Sequence, residues 1–381
     1  MLTRRERLLR TLRGEEVDRP PVCFYEINGL LENPGDPDPF NIFSHPSWQP
    51  LLNLAAEKTD RIVMQRVPFR NAPPDPHAER TRWHVYEDDN GSRLMVRALR
   101  TARKTLVMRT RQDRDVNTVW TIEHLLKSAE DLEDYLTLPP PQPGGEPDVA
   151  QVLEVEKRLA DTGIVMLDTG DPLCSVAPLF DMAEYTVVAM TEPKLFRRAL
   201  DYVAPAIYER TAAAARALPG RLWRIYGPEY ASPPYLPPSL FREYVVNYVK
   251  PMVDIIHAAG GYARIHSHGR LHDILDLIVE TGCMGLDPIE PPPQGDVSLA
   301  YVRQRYGERL VLFGNLEISE IENMPHDAFA QRVDQALRDG TAGKGRGFVL
   351  MPSSAPYGRV LSGHTVRNYE IIVERVERLE N

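Results

Sequence analysis

The chain has 381 residues, of which 43% are hydrophobic and 26% are charged, fractions typical of globular proteins. They exclude a disordered, collagen-like or coiled-coil protein, and no apolar run approaches the roughly 18 residues of a transmembrane helix. The 54 acidic residues outnumber the 45 basic ones, and the net charge of −9 disfavours nucleic acid as a partner. The three cysteines are far apart and the first residues show no secretion-signal pattern, so a cytoplasmic protein is expected.

The N-terminal part is expected to contain a helix, a short strand and a long loop. Thr3 and Glu6 form a capping-box pattern that predicts a helix over residues 3–13. The run Val22–Tyr25 is apolar and follows a proline turn, so it predicts a buried strand. Residues 27–50 are rich in Pro, Gly and Asn, which predicts a loop.

Residues 80–122 differ in pattern from the segments around them. Two runs of strand-forming residues flank Asn90 and Gly91, and an Asn-Gly pair between such runs is typical of a tight hairpin turn. We therefore expect an antiparallel β insertion there. Residues 137–148 are expected to form a loop and not a domain linker, so residues 1–381 are interpreted as a single domain.

The second half of the chain repeats strand, loop and helix about every 25–40 residues, the pattern of a parallel α/β protein. No GxGxxG or Walker A motif follows a candidate strand, which argues against the common nucleotide-binding sheets. The length and spacing fit an eight-stranded βα barrel, whose site lies where strands end. The candidate strands of this half are 163–168, 222–226, 262–266, 284–287, 310–313 and 348–351.

Nearly every candidate strand is followed by an acid, an amide or an imidazole. A negative, ligand-rich barrel mouth suits a metal ion or a cationic substrate. Glu229 near Tyr226 and Tyr230 suits a cation or a planar ring, but also an ordinary tyrosine-lined loop. Asn315 could orient a substrate or simply close a tight turn. The candidate substrate-binding residues are Glu26, Asn28, Asp171, Tyr226, Tyr230 and Ser353.

The strongest constellation is His266-Ser-His268 at a strand end, followed by Glu290. Histidines at i and i+2 of a strand face the same side, and two imidazoles with one carboxylate are a usual ligand set of catalytic zinc. Alternatively, one histidine binds metal or substrate and the other caps a loop. Glu290, fixed by the three prolines after it, could instead be a hydrogen-bond acceptor or general base.

These residues lie in motifs that resemble the uroporphyrinogen decarboxylase-like superfamily. The motifs follow one another in order over almost the whole chain, and the resemblance implies a (βα)₈ TIM barrel with an N-terminal helical extension. The matching segments are Arg4–Leu9, Val17–Val22, Gly227–Tyr230, Pro238–Tyr244, Ile265–Gly269, Ile289–Pro292, Gly295–Val297 and Phe313–Glu317.

The superfamily contains the decarboxylase itself and zinc-dependent methyltransferases that work with corrinoid proteins. The decarboxylase has an arginine-rich segment after its first strand that holds porphyrin carboxylates, whereas Tyr25–Gly29 contains no arginine. In the methyltransferase branch a His-x-Cys pair and a distant Cys hold zinc, some relatives adding a Glu between them. His266 matches the His and Glu290 has the spacing of the Glu, but His268 replaces the first Cys and Met351–Ser354 lacks the last one.

The resemblance therefore implies a metal-dependent methyltransferase in which His266, His268 and Glu290 hold zinc. A methyl group would pass from a small O- or N-methyl compound to the cobalamin-type corrinoid of a separate partner protein. Glu229, Asn315 or Glu317 would protonate or orient the leaving group. Two alternatives stay open: a zinc-dependent lyase or decarboxylase-like enzyme acting on a small acid without corrinoid, and a non-catalytic small-molecule-binding barrel. The sequence indicates neither the methyl donor nor the oligomeric state.

Overall fold

The computed structural model describes residues 2–380. The strands of this range are β1 (Arg61–Gln65), β2 (Phe69–Arg70), β3 (Thr81–Glu87), β4 (Arg93–Arg100), β5 (Thr105–Gln112), β6 (Val119–Glu123), β7 (Glu146–Pro147), β8 (Gly163–Gly170), β9 (Leu222–Tyr226), β10 (Tyr262–His266), β11 (Gly285–Asp287), β12 (Val311–Leu316) and β13 (Phe348–Pro352). Its α-helices are α1 (Arg4–Arg13), α2 (Gln49–Lys58), α3 (Ala129–Tyr135), α4 (Ala150–Leu159), α5 (Pro172–Val176), α6 (Met182–Thr191), α7 (Pro193–Ala217), α8 (Pro238–Phe241), α9 (Asn247–Ala258), α10 (Leu275–Glu280), α11 (Leu299–Tyr306), α12 (Ile318–Asn323), α13 (His326–Thr341) and α14 (Gly363–Glu377). Within residues 2–380 no single helix is long and apolar enough to cross a membrane, and one bent pair, Pro172–Leu179 with Met182–Thr191, passes that test by length and composition only.

A parallel sheet closes into a barrel at the centre of the fold. Its strands pair in the order β1-β8-β9-β10-β11-β12-β13. The predicted strand Val22–Tyr25 lies between the two edges, because Val22 bridges Leu350 of β13 and its carbonyl accepts a hydrogen bond from the Asp60 N–H at 2.7 Å. This segment takes the eighth position, so the predicted (βα)₈ barrel is confirmed. Strand β1, which directly follows Asp60, was not predicted.

The barrel interior and the space between sheet and helices hold separate apolar clusters. The inner cluster joins Met166 and Phe313 to Leu8 and Leu12, so helix α1 covers the amino-terminal end of the barrel. The predicted capping box starts this helix: the Thr3 hydroxyl accepts the Glu6 N–H at 3.1 Å, and the Glu6 carboxylate accepts the Thr3 N–H at 2.9 Å. The N-terminal helical extension is thus confirmed and closes the end of the barrel opposite the site.

The predicted antiparallel insertion is a four-stranded sheet in the order β3-β4-β5-β6. Its first turn contains the expected Asn-Gly pair, with the Asn90 N–H donating to the Asp88 carboxylate at 2.9 Å and Gly91 at φ 77°. Glycine adopts this left-handed conformation without steric cost, which explains the residue pair. The insertion leaves the barrel after β1 and returns before β8.

Candidate active site at the barrel mouth

The carboxyl ends of the barrel strands meet at one end, here called the mouth, and His266 at the end of β10 is its deepest imidazole. Its Nδ1 lies 2.8 Å from Oδ2 of Asp287, its register partner on β11. Nε of Arg264 lies 2.8 Å from the other oxygen of Asp287. Burial alone would raise the pKa of Asp287, but the charges of Arg264 and His266 lower it below its usual value. The carboxylate therefore stays ionised and fixes the His266 ring.

His268 forms a second imidazole–carboxylate pair, nearer to solvent. Its Nδ1 lies 2.8 Å from Oε1 of Glu290, whose Oε2 accepts the Gly269 N–H at 2.8 Å. Burial alone would lower the pKa of His268, but the hydrogen bond and charge of Glu290 raise it above its usual value. Burial works against ionised Glu290, yet its bond to His268 lowers the Glu290 pKa. The pair therefore favours imidazolium and carboxylate near neutral pH.

The two imidazoles lie together as the i, i+2 spacing predicts. Their ring centroids are 4.5 Å apart and the rings are nearly perpendicular, at 86°. Each Nδ1 faces a carboxylate, and neither Nε2 has a hydrogen-bond partner among the described residues. The His266 and His268 rings are thus adjacent, and each keeps its Nε2 atom free of a hydrogen bond within the described residues.

The predicted zinc ligand set is not assembled in this arrangement. Both oxygens of Glu290 are engaged, by His268 and by the Gly269 N–H. No group of three or more His, Cys, Asp or Glu side chains within residues 2–380 is placed to hold a metal ion. With Glu290 engaged in this way, the observed arrangement of His268 and Glu290 is that of an acid–base pair. Zinc binding stays a prediction, which metal analysis can test.

Two further predicted catalytic acids lie within electrostatic range of the pair. Burial, and then the charge of Glu290, raise the pKa of Glu317, which also hydrogen-bonds Ser353. Glu317 is 5% exposed, and its Oε2 has no hydrogen-bond partner in the described part of the chain. Glu229 accepts its own loop's Gly227 N–H at 2.8 Å and adds to the rise in the His268 pKa. Glu317 is therefore a second candidate proton donor.

Three predicted site residues build the scaffold around the mouth. The Asn315 backbone and side-chain oxygens accept hydrogen bonds from Arg332 of α13, at 2.7 and 3.2 Å. Asn28 bonds the backbone of its own loop through Oδ1. Asp171 caps helix α5 by accepting the Cys174 N–H at 2.7 Å, and burial raises its pKa well above the usual value. Their contacts are structural and give no sign of substrate binding.

The remaining predicted substrate-binding residues lie at the rim. Glu26 is half exposed, and its Oε1 is 4.0 Å from Nη1 of Arg224. The Tyr226 hydroxyl accepts a hydrogen bond from Arg66 at 3.1 Å. Tyr230 is partly buried, and burial raises its pKa to about 12. Glu26 is thus accessible at the rim, and Tyr226 is held there by its hydrogen bond with Arg66.

The sequence analysis missed a buried network around two arginines. Nε of Arg224 lies 2.7 Å from Asp168, and Nη1 donates to the Tyr25 hydroxyl at 2.6 Å. The Tyr25 ring stacks on His266 at 6.0 Å between centroids. Arg224 and Arg264 are register partners in the middle of β9 and β10. A charged residue inside an otherwise apolar strand is a signal that could have identified both arginines.

The backbone before Glu290 is in an uncommon conformation. Ile289 has φ 56°, and a β-branched residue in the left-handed region is strained. A Cβ at Gly295 would lie 1.9 Å from the Glu290 carbonyl oxygen. Only glycine fits there, so this loop is shaped to present the Glu290 carboxylate to His268.

The model of the protein family described as uroporphyrinogen decarboxylase (URO-D) matches residues 119–379. The chain belongs to the uroporphyrinogen decarboxylase family. This confirms the superfamily that the sequence motifs predicted, and the match covers every barrel strand from β8 to β13.

One solved structure shares the fold over the whole chain. A structure described as a methyltransferase from Methanosarcina mazei matches with a TM-score of 0.58 and 18% identity over 99% of both chains. A D-psicose 3-epimerase has 13% identity over 66% of this chain and 86% of its own, with a TM-score of 0.33. A D-psicose 3-epimerase from Clostridium cellulolyticum H10 has 11% identity over 61% of this chain and 91% of its own, with a TM-score of 0.30. No curated protein sequence matches. The first structure shows the shared fold, and the epimerases are too dissimilar to support an argument.

Proposed function

We propose that this member of the uroporphyrinogen decarboxylase family is a methyltransferase. It moves a methyl group from a small O- or N-methyl compound to a corrinoid carried by a separate protein. The observation that carries the proposal is the His268–Glu290 pair at the barrel mouth, in which a partly exposed imidazole is paired with a carboxylate and can donate a proton. The end-to-end fold match to a protein described as a methyltransferase supports the same class of reaction.

The proposed reaction needs a proton at the atom that loses the methyl group. When the methyl carbon bonds to Co(I), the carbon–oxygen or carbon–nitrogen bond breaks and its electron pair stays on the heteroatom. His268 donates a proton from Nε2 to that atom, which leaves as an alcohol or amine, while Glu290 holds Nδ1. The His268 side chain is 36% exposed, so solvent can return the proton afterwards.

The charges of the mouth argue against a porphyrinogen substrate. Arg224 and Arg264 are both neutralised by buried aspartates, at 2.7 and 2.8 Å. Near the pair, Glu229, Glu290 and Glu317 contribute carboxyl groups. A tetrapyrrole with many carboxylates would meet like charge there, whereas a neutral O- or N-methyl compound, whose leaving atom takes the proton of His268, would not.

A zinc-dependent form of the reaction is a second candidate. It is favoured by the orientation of His266 and His268, since histidines that bind a metal through Nε2 usually donate Nδ1–H to a carboxylate. Metal analysis tests it on wild type, His266→Ala and His268→Ala. One equivalent of zinc, lost in both variants, would support it. Metal-free protein that stays active after chelation would contradict it.

The proposed function is tested by mixing the protein with chemically reduced cobalamin and each of a panel of O- and N-methyl compounds. Formation of methylcobalamin is measured by its visible absorption. We expect His268→Gln to lower the rate about 100-fold or more. His272→Gln is the matched control, because His272 is exposed and outside the mouth pair. Equal rates for His268→Gln and wild type would contradict the assigned role.

The same assay separates the two alternatives kept open by the sequence. Consumption of a small acid without methylcobalamin would indicate a lyase or decarboxylase. Ligand binding without any turnover, across the panel and with added zinc, would indicate a non-catalytic barrel. Methylcobalamin formed only with the wild type and the His272→Gln control would support methyl transfer.

A further inference from the structure

A cavity of about 540 Å³ lies beside the barrel mouth, on the helix side of the sheet. Its wall includes Leu167 and Trp223, which belong to the core between sheet and helices and not to the barrel interior. Ile207 and Arg210 of α7 form the opposite wall, and Arg66 lies where β1 ends. The volume is within the range that holds a small organic ligand. None of the steps proposed for the mouth uses this space.

Two guanidinium groups line the cavity, Arg66 and Arg210. Nε of Arg66 is 3.6 Å from Asp168, whose carboxylate already binds Arg224 at 2.7 Å, so Arg66 is held loosely. Arg210 forms no ion pair with any other residue of the described range and lies over the Phe69 ring at 5.9 Å. Both arginines can therefore receive an anion without losing a strong partner.

The rest of the wall is mixed: aromatic and apolar side chains stand beside the Asp168 carboxylate and the hydroxyls of Thr169, Ser175 and Thr211. Phe69, Trp223 and Tyr226 supply rings, and Ile207 supplies an aliphatic side chain. An arginine fork binds a planar carboxylate through two parallel hydrogen bonds, and a flat ring packs against aromatic walls. We propose that this cavity is a second ligand site, which binds a small aromatic carboxylate with its carboxylate at Arg66 and Arg210.

The position of Arg66 puts this ligand next to the mouth but outside it. Arg66 donates to the Tyr226 hydroxyl at 3.1 Å, and Tyr226 lies at the end of β9. The His268–Glu290 pair does not line the cavity. Binding of the carboxylate is therefore independent of the proposed methyl transfer, and either proposal can fail without the other.

The experiment is isothermal titration of the full chain with benzoate, with benzyl alcohol as the uncharged analogue. We expect benzoate to bind, benzyl alcohol to bind about ten-fold more weakly or not at all, and Arg210→Ala and Arg66→Ala each to weaken benzoate binding about ten-fold or more. Arg198→Ala is the matched control, an exposed arginine on the same helix α7 that does not line the cavity.

Three results would overturn the proposal. The first is no benzoate binding to the wild type, and the second is equal affinity in wild type and Arg210→Ala. The third is loss of binding in His268→Gln with full binding in Arg210→Ala, since the benzoate would then occupy the barrel mouth. Retained affinity in His268→Gln and Arg198→Ala, together with loss in both cavity variants, would support the site.

Discussion

Replacing Glu290 by Gln is the sharpest test of the imidazole–carboxylate pair at the mouth. The amide has nearly the same shape and keeps one of the two hydrogen bonds that the carboxylate accepts, so the variant removes the charge and one acceptor. Because the ionised carboxylate favours the imidazolium, we expect the pKa of His268 to fall in Glu290→Gln.

The size of this fall follows from the contact distance and the exposure of His268. Charge centres about 4 Å apart interact by about 4 kcal/mol at an effective dielectric constant of about 20. The Nδ1–Oε1 distance of 2.8 Å fits that separation, but the His268 side chain is 36% exposed and solvent screens the pair. Screening leaves about 1–2 kcal/mol for the pair, and losing this interaction lowers the pKa of His268.

The assay is an NMR titration of the imidazole Cε1–H signals, with the His268 signal identified from its absence in His268→Gln. Asp273→Asn is the control, because it removes a carboxylate beside exposed His272 and leaves the mouth intact.

If His268 donates the proton, methyl transfer is lost as pH rises through the pKa of His268. The alkaline limb of the rate profile should therefore move to lower pH in Glu290→Gln. An unchanged or higher His268 pKa in that variant would refute the reasoning.

Two further predictions concern stability. Asp287→Ala leaves buried Arg264 without its carboxylate and Nδ1 of His266 without its hydrogen-bond partner, and should lower the free energy of unfolding by about 3–5 kcal/mol, measured with urea. Asp254→Ala, which breaks an exposed pair, should cost less than about 1 kcal/mol, and equal losses would contradict the argument. Gly295→Ala places a methyl group against the Glu290 carbonyl and should cost about 1–3 kcal/mol in the same assay. Gly363→Ala, where a Cβ meets nothing within 4 Å, is its control, and similar stability of the two variants would exclude the clash.

Local signals in the sequence predicted much of the fold. Features that depend on residues close together in the sequence can be predicted from its pattern. They are the Thr3–Glu6 capping box, the Asn90-Gly91 turn and the apolar strands of the second half. Strand β1 was missed because its apolar core is short, Ile62–Met64 between Arg61 and Gln65, and periodicity cannot assign so short a run. In the structure, parallel pairing with β8 identifies β1 as a strand of the barrel.

The site was predictable only in part, because its pairing is long-range. The i, i+2 spacing placed His266 and His268 together, and their rings are indeed adjacent. Which carboxylate each histidine binds depends on strand register, and Asp287 was not among the predicted site residues. Asp171 has the residue type of a ligand-binding group, but burial and the capping of α5 determine its contacts. Spacing alone cannot distinguish these environments.

Closure of the barrel also constrains how the chain can fold. The Cys23 N–H donates to the Leu350 carbonyl at 3.0 Å, so the two ends of the chain must meet before the ring of strands is complete. Such non-local contacts slow folding, and during synthesis the groups of residues 21–24 that pair with β13 stay unpaired until that strand leaves the ribosome. A chain that stops before Phe348 would keep β12 as an open edge, with the hydrogen-bonding groups that faced β13 free to pair with other chains. The last strand therefore protects the first part of the protein from aggregation as well as completing the barrel.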